Sequence, residues 1–229
     1  DEKRTELLHK LGSIPSRYII DFGDLSEIQA SRYPYLFEIV KARVKPHRDK
    51  VNRERNRLRW WIYAETRPGL YNSIRDKDYV IARARISKTQ AWEFVNTGYV
   101  LADALVVTNL SEFHQFAFLQ STIHAEWAWK YCTTMKSDMN YGSLTIFETY
   151  PFPQINRNID EQQINTIGKN YHHHRNKIVF CLKLGLTKIY NAFNSRQLTD
   201  IITDRNLNEI DNKVLEKKLG KEVSNLINH

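Results

Sequence analysis

Residues 79–108 read YVIARARISKTQAWEFVNTGYVLADALVVT, and this run decides the fold. Tyr79 to Ile86 alternates as a strand does. Val80, Ala82, Ala84 and Ile86 fall on one face, Arg83 and Arg85 on the other. Two arginines on one strand face point to a ligand-facing sheet or to plain solvent. Ser87-Lys88-Thr89 closes the strand with polar groups. Trp92–Val95 and Tyr99–Thr108 read as further strands, with Asn96-Thr97-Gly98 as the turn between them. Short connections make this region antiparallel.

Downstream, Ser111 is placed to cap a helix from Glu112 to about Tyr131, apolar around most of its circumference and therefore buried. His114 and His124 on it read as packed or surface histidines rather than ligands. Residues 130–153, KYCTTMKSDMNYGSLTIFETYPFP, come next. Here a three-donor ammonium, Lys136, stands two residues from a pure acceptor, Asp138. That chemistry suits reading the edge of something better than cutting it. Pro151 and Pro153 each fix their own φ and push the preceding residue into extended geometry, so Tyr150-Pro151-Phe152-Pro153 leaves as a stiff, non-helical strap. Ile164, Ile167, Tyr171, Ile178 and Leu182 then predict a long amphipathic helix over 160–184, ended by Gly185. His172-His173-His174 sits inside it, and consecutive helical residues point about 100° apart, so the three do not converge on one metal. Helices over Leu186–Phe193 and Leu207–Ile227 complete a helical tail.

Upstream, residues 1–14 read as a short helix, and a chain that starts within one without methionine suggests a piece of something longer. Ser16–Phe22 has strand character. Ser26 is a helix cap, and Pro34 splits or bends the helical segment that Ser26 begins. Nine Lys and Arg crowd positions 41–59 against two acids, and Trp60, Trp61 and Tyr63 come after them. Such a run either grips a sugar-phosphate backbone or is a solvated helix leading into a core strand. Arg67-Pro68-Gly69-Leu70-Tyr71 reads as a turn.

Composition narrows the function. A 229-residue chain holds one large or two small domains, and 41% hydrophobic residues suffice for a core. A net charge of +8 favours a polyanionic partner. No uninterrupted apolar run is long enough for a membrane span. Two isolated cysteines, Cys132 and Cys181, suit a reducing, cytoplasmic home. Dinucleotide and triphosphate loops, the Gly-x-Ser-x-Gly elbow and the His-Glu-x-x-His motif are all missing. Glu216-Lys217-Lys218 looks like the tail of a nuclease carboxylate–lysine motif, but such triplets arise by chance. The fold expected from the residues is α+β: a largely antiparallel, β-rich domain with packed helices, succeeded by an all-α tail.

The blocks IPSRYIIDFGDLSE, RYPYLFEIVKARVKPHRDKVNRER, WWIYAETRPGLY, VIARARISKT, VLADALVV, MKSDMNYGSLTIFETYPFP and LGLTKIYNAF occur in this order. Over roughly residues 14–194 the chain resembles the C-terminal part of MmeI-like DNA methyltransferases, which are single-chain restriction–modification enzymes. The family carries a nuclease, a helical spacer and an adenine-N6 methyltransferase that uses S-adenosylmethionine, and then a target-recognition domain and a helical tail. Only the last two have counterparts here.

The residues and the resemblance together divide the chain into a linker helix at 1–13, a DNA target-recognition domain at 14–153 and a helical C-terminal domain at 154–229. The resemblance implies no catalytic residue, cofactor or metal in this chain. S-adenosylmethionine, and Mg2+ if a nuclease is present, are expected for the parent enzyme. Double-stranded DNA and the N-terminal methyltransferase portion of the same polypeptide are the expected partners. Positions matching Lys136 and Asp138 read one base pair together in the family. Lys donates to O6 and N7 of guanine and Asp accepts from N4 of cytosine, which suits a G·C pair. The alternative is a local surface ion pair of little energetic value. Arg83, Arg85, Lys88 and Thr89 are further candidates for bases or phosphates, and Arg48, Lys50, Arg53 and Arg55 for phosphates. Two other classes stay open: a module that docks on the catalytic part of its own enzyme, and an unrecognised nuclease or methyltransferase.

Overall fold

Pro34 begins a helix rather than interrupting one. Ser26 caps helix α1 (Glu27–Ala30) through a capping box with Gln29, and the chain then turns at Tyr33. With Pro34 at its first position, where a missing N–H costs nothing, α2 runs from Pro34 to Arg43. Two short helices come after it, α3 (Lys45–Arg48) and α4 (Glu54–Leu58). Residues 67–71 were expected to be a turn. Instead Arg67 takes a left-handed conformation (φ 52°, ψ 49°) and launches α5 (Pro68–Ile74), again with proline in the first turn. The expected strand before Gly23 is not formed over the described part, residues 18–22. Tyr18 and Ile19 there are exposed and find no partner strand.

The computed structural model describes residues 18–155, 158–182 and 184–194. The expected helices over 1–13 and Leu207–Ile227, and Glu216-Lys217-Lys218, lie outside them. No described helix is long and apolar enough to cross a membrane.

The chain divides into two compact units. In the first along the chain, residues 18–78 together with 97–100, a core forms from Phe22, Ala30, Phe37, Val40, Trp60 and Ile62. The Phe37 and Trp60 rings lie 5.1 Å apart, and the Trp61 indole N–H donates to the Leu25 carbonyl at 2.9 Å. The two tryptophans beside the basic run are therefore built into the core.

The other unit comprises residues 79–96 and the described residues between 101 and 194. It holds two antiparallel three-stranded sheets, which makes the α+β class correct. Strand β1 (Tyr79–Ala84) is the centre of the first, between β3 (Glu93–Asn96) and β4 (Leu105–Val107). Hence β3 and β4 flank β1 and do not pair with each other, and only Leu105–Val107 of the expected Tyr99–Thr108 strand is extended in a ladder. The second sheet orders β2 (Ile86–Ser87), β6 (Asp138–Asn140) and β5 (Thr133–Met135). Arg85 joins the two sheets through its backbone. Its N–H donates to the Ala104 carbonyl and its own carbonyl accepts from Tyr141 N–H, each at 2.8 Å.

The long apolar helix expected over 112–131 is two helices. α6 (Phe113–Gln120) starts with a capping box between Glu112 and Gln115, and α7 (Thr122–Tyr131) starts at Ser121. Ser121 is extended (φ −68°, ψ 154°), and its hydroxyl accepts from His124 N–H at 3.2 Å. A serine that can cap offers the backbone an alternative to continuing the helix. After β6 comes a short π-helical turn over Ser143–Phe147, and the Tyr150–Pro153 strap carries no helix or strand. Helix α8 (Asn158–Leu182) and α9 (Leu186–Asn194) match the periodicity read for the tail.

The division at 153/154 does not coincide with a boundary between compact units, because α8 packs within the same unit as the sheets. Gly168 on α8 lies so close to α6 that an added Cβ would stand 2.1 Å from the Phe113 carbonyl oxygen. Arg175, buried, donates to the Trp92 carbonyl at 2.6 Å and to Glu93 at 2.8 Å, and His172 meets the other Glu93 oxygen at 2.7 Å. Burial alone would push the Glu93 carboxyl up, but the His172 and Arg175 contacts hold it below the ordinary glutamate value.

Candidate nucleic-acid interface

Strands β5 and β6 form a hairpin whose two-residue turn is Lys136-Ser137, with Met135 paired to Asp138. Lys136 has a φ of 58°, the left-handed conformation that tight hairpin turns demand at their first position. A non-glycine residue held there is uncommon. The turn puts Lys136 in solvent at the tip and Asp138 half-buried at the start of β6. Among the described residues no ion pair joins the two, so the local surface pair weighed from the sequence is not formed. The Asp138 carboxylate takes a long contact, 3.4 Å, from the Ser137 hydroxyl.

The period of two along a strand sorts the rest of the hairpin. Met139 is completely buried, so Asp138 and Asn140 on either side of it share the opposite, outward face. Cross-strand pairing adds Thr133 and Met135 from β5 and Ile86 from β2 to that face. β2 ends at Ser87, and exposed Lys88 stands in the bend that follows it. The Asn140 amide donates to the Thr133 hydroxyl at 3.1 Å. The surface thus carries an ammonium at its tip, a carboxylate, an amide, a hydroxyl and two exposed apolar side chains. Asn140, Thr133, Met135 and Ile86 were not picked out from the sequence. The signal was there: two alternating tripeptides, TTM and DMN, flank a two-residue spacer.

Arg83 is a correction. It was expected to share a ligand-facing surface with Arg85, but it is only 2% exposed and Val80 to Arg83 are all buried. Strict alternation fails because β1 is a central strand covered on both faces. The Arg83 guanidinium donates to the Gln90 side-chain carbonyl, to the Thr89 carbonyl at 3.3 Å and to the Ala84 carbonyl at 3.0 Å. It lies 4.7 Å from the centre of the Tyr141 ring and 5.6 Å from that of Trp92. Burial lowers its pKa to about 10. Thr89 is buried too, and Arg85 is half-buried.

Behind the hairpin lies a buried histidine. His124 is fully enclosed, as the packed reading of it required. Its Nδ1 faces the Leu119 carbonyl at 2.8 Å and its Nε2 the Tyr141 hydroxyl at 3.0 Å. A carbonyl only accepts, so the ring proton sits on Nδ1 and Nε2 takes the Tyr141 O–H. Burial first, and then the nearby Arg83 charge, lower the His124 pKa to about 4. The imidazole is neutral at physiological pH. Of the triplet on α8, His172 is the half-buried one, while His173 and His174 are exposed.

The basic segment lies in the other unit. Lys50, Arg53 and Arg55 are exposed. Arg48 is half-buried, and its guanidinium reaches the Ile62 carbonyl at 3.4 Å. Lys45 is taken by Asp49 at 2.9 Å.

Comparison with known proteins agrees with these observations. The family described as the MmeI target recognition domain matches residues 15–154, more than half of the chain. No curated protein and no solved structure matches it. The matched residues contain both sheets, the β5–β6 hairpin and the basic segment, and the chain belongs to the MmeI target-recognition-domain family.

Proposed function

We infer that the chain supplies the sequence-reading part of a restriction–modification enzyme, and that the outward face of the β5–β6 hairpin is where it reads double-stranded DNA. The observation that carries this reading is the hairpin turn. It leaves the Lys136 ammonium and the Asp138 carboxylate on one edge without pairing them to each other. Unpaired, they present a donor and an acceptor to a partner, which is what the major-groove edges of guanine and cytosine require. Lys136 donates to O6 and N7 of guanine and Asp138 accepts from N4 of cytosine. Exposed Lys88, in the bend after β2, is the next candidate, and half-buried Arg85, between the two sheets, comes after it. Lys50, Arg53 and Arg55, with Arg48 partly committed to the protein, serve as backbone contacts that position without reading.

In this reading the parent enzyme is an adenine-N6 DNA methyltransferase, with or without an endonuclease. S-adenosylmethionine, and Mg2+ where a nuclease is present, belong to its preceding parts.

The test is fluorescence anisotropy on a panel of duplexes, after site selection with the 229-residue chain. Exchanging the charges, Lys136→Glu with Asp138→Arg, is expected to change which base pair is preferred at one position. The loss on the original pair is about 1–3 kcal/mol, and the salt dependence is nearly unchanged. An equal loss on every sequence would remove the base-reading role.

A further inference from the structure

Strand β6 is three residues long and shares two residue pairs with β2 and three with β5. So short a ladder leaves the register to the turn and to the buried face. A slip of one residue would invert the strand, turning Asp138 and Asn140 inward and Met139 outward. Something behind the sheet must forbid that slip, and the groups there are unusual for a core. Arg83, 2% exposed, and Gln90, 7% exposed, both reach the sulfur of Met139. Arg83 Nη1 lies 3.7 Å and Gln90 Nε2 3.6 Å from it. Each donor is itself held. Gln90 Oε1 accepts from Arg83 and from the Trp92 indole N–H, the latter at 3.1 Å, and the Gln90 carbonyl accepts from the Gln120 amide. Arg83 is fixed by the Thr89 and Ala84 carbonyls and by the face of Tyr141, the residue directly after β6.

No carboxylate is paired with this buried cation among the described residues. A buried charge without a counter-ion is unfavourable unless its donors are well satisfied. Leucine and isoleucine would fill the space without that cost. The planar fork of a guanidinium offers what they lack, several donors in one rigid orientation. We propose that Arg83 and Gln90 are positioning residues for DNA reading: they grip Met139 from behind and thereby fix Asp138 and Asn140 outward in the register that meets the bases. This rests on the reading of Lys136 and Asp138 given above. Arg83 acts without touching DNA.

Two variants of the 229-residue chain test it. Arg83→Met removes the fork, and Met139→Leu conserves volume while removing the sulfur that both donors meet. Amide hydrogen exchange reads the hairpin without DNA. In both variants the β5–β6 amides should lose about tenfold protection, while those of β1, β3 and α6 change less than about twofold. A residue that merely stabilises the fold would lower protection throughout. On DNA, discrimination at the base pair read by Lys136 and Asp138 should fall about tenfold, with the salt slope of non-specific binding unchanged. Uniform loss of protection, or a wild-type base preference that survives Met139→Leu, overturns the positioning role alone. A wild-type chain with no base preference overturns the reading of Lys136 and Asp138, and the positioning role with it.

Discussion

His124 shows how one residue can tie the stability of the reading unit to pH. Its ring is neutral in the fold because burial and the Arg83 charge bring its pKa from 6.5 to about 4. In the unfolded chain it takes up a proton near pH 6.5, so between about 6.5 and 4 the unfolded state binds more protons than the native one. Stability therefore falls as the pH is lowered through that window. A shift of this size corresponds to about 3 kcal/mol. Glu93, held below its ordinary pKa, adds a loss in the same direction below pH 4.5, its unfolded value. Urea midpoints measured from pH 7 to pH 4 should fall steeply for the wild type. In His124→Gln the slope between pH 6.5 and 4 should flatten, whatever that substitution does to stability at pH 7. An unchanged slope would mean that the imidazole is already accessible to protons.

At the scale of elements, the contacts that place α8 are backbone-close and specific. Gly168 is the clearest case. Alanine gains roughly 1 kcal/mol over glycine in a helix interior. Here its Cβ would meet the Phe113 carbonyl oxygen at 2.1 Å, and a backbone atom cannot rotate away. Overpacking of this kind costs about 1–3 kcal/mol, and the severity of the approach puts the case at the upper end. Gly168→Ala is therefore expected to destabilise the unit by about 2 kcal/mol in urea unfolding. A stabilised variant would show that α8 is free to move away from α6. The same contact explains why the 153/154 division, natural in composition, is not one of packing. The residues that anchor α8 are a glycine, the buried Arg175 and the His172 partner of Glu93, and none of them stands out in a pattern of apolar positions.

At the scale of the whole molecule, charge and chemistry are carried by different parts of the chain. The +8 net charge is concentrated in the basic segment, where Lys50, Arg53 and Arg55 point to solvent. Each phosphate neutralised contributes about 0.9 to the slope of log K against log salt. Changing these three to glutamine is expected to flatten that slope by up to about 3 and to weaken binding to all duplexes alike. Arg48, which already donates to the Ile62 carbonyl, should contribute less than any of the three. A salt slope that does not move would assign this face to protein contacts and favour docking on the rest of the enzyme. The exposed aromatics Tyr33, Tyr35 and Tyr63 of the same unit would then be the next residues to vary.

The sequence by itself determined the class of the fold, the cap at Ser26, the long helix after the proline strap and the family of the chain. These come from local patterns: alternation, three-to-four spacing, residues with fixed φ or with side chains that cap. It also nominated Lys136 and Asp138 as candidates, through their types and a family resemblance. Only the tertiary structure decided which way Arg83 faces, because whether a strand is central depends on partners distant in the chain, and β1 is covered on both faces. Tertiary structure likewise set β3 and β4 on opposite sides of β1 and joined α8 to the sheets. Above all it set Met139 inward, and with it Asp138 and Asn140 outward. A three-residue strand cannot choose its face from local preference, and the buried contacts around Met139 make the choice.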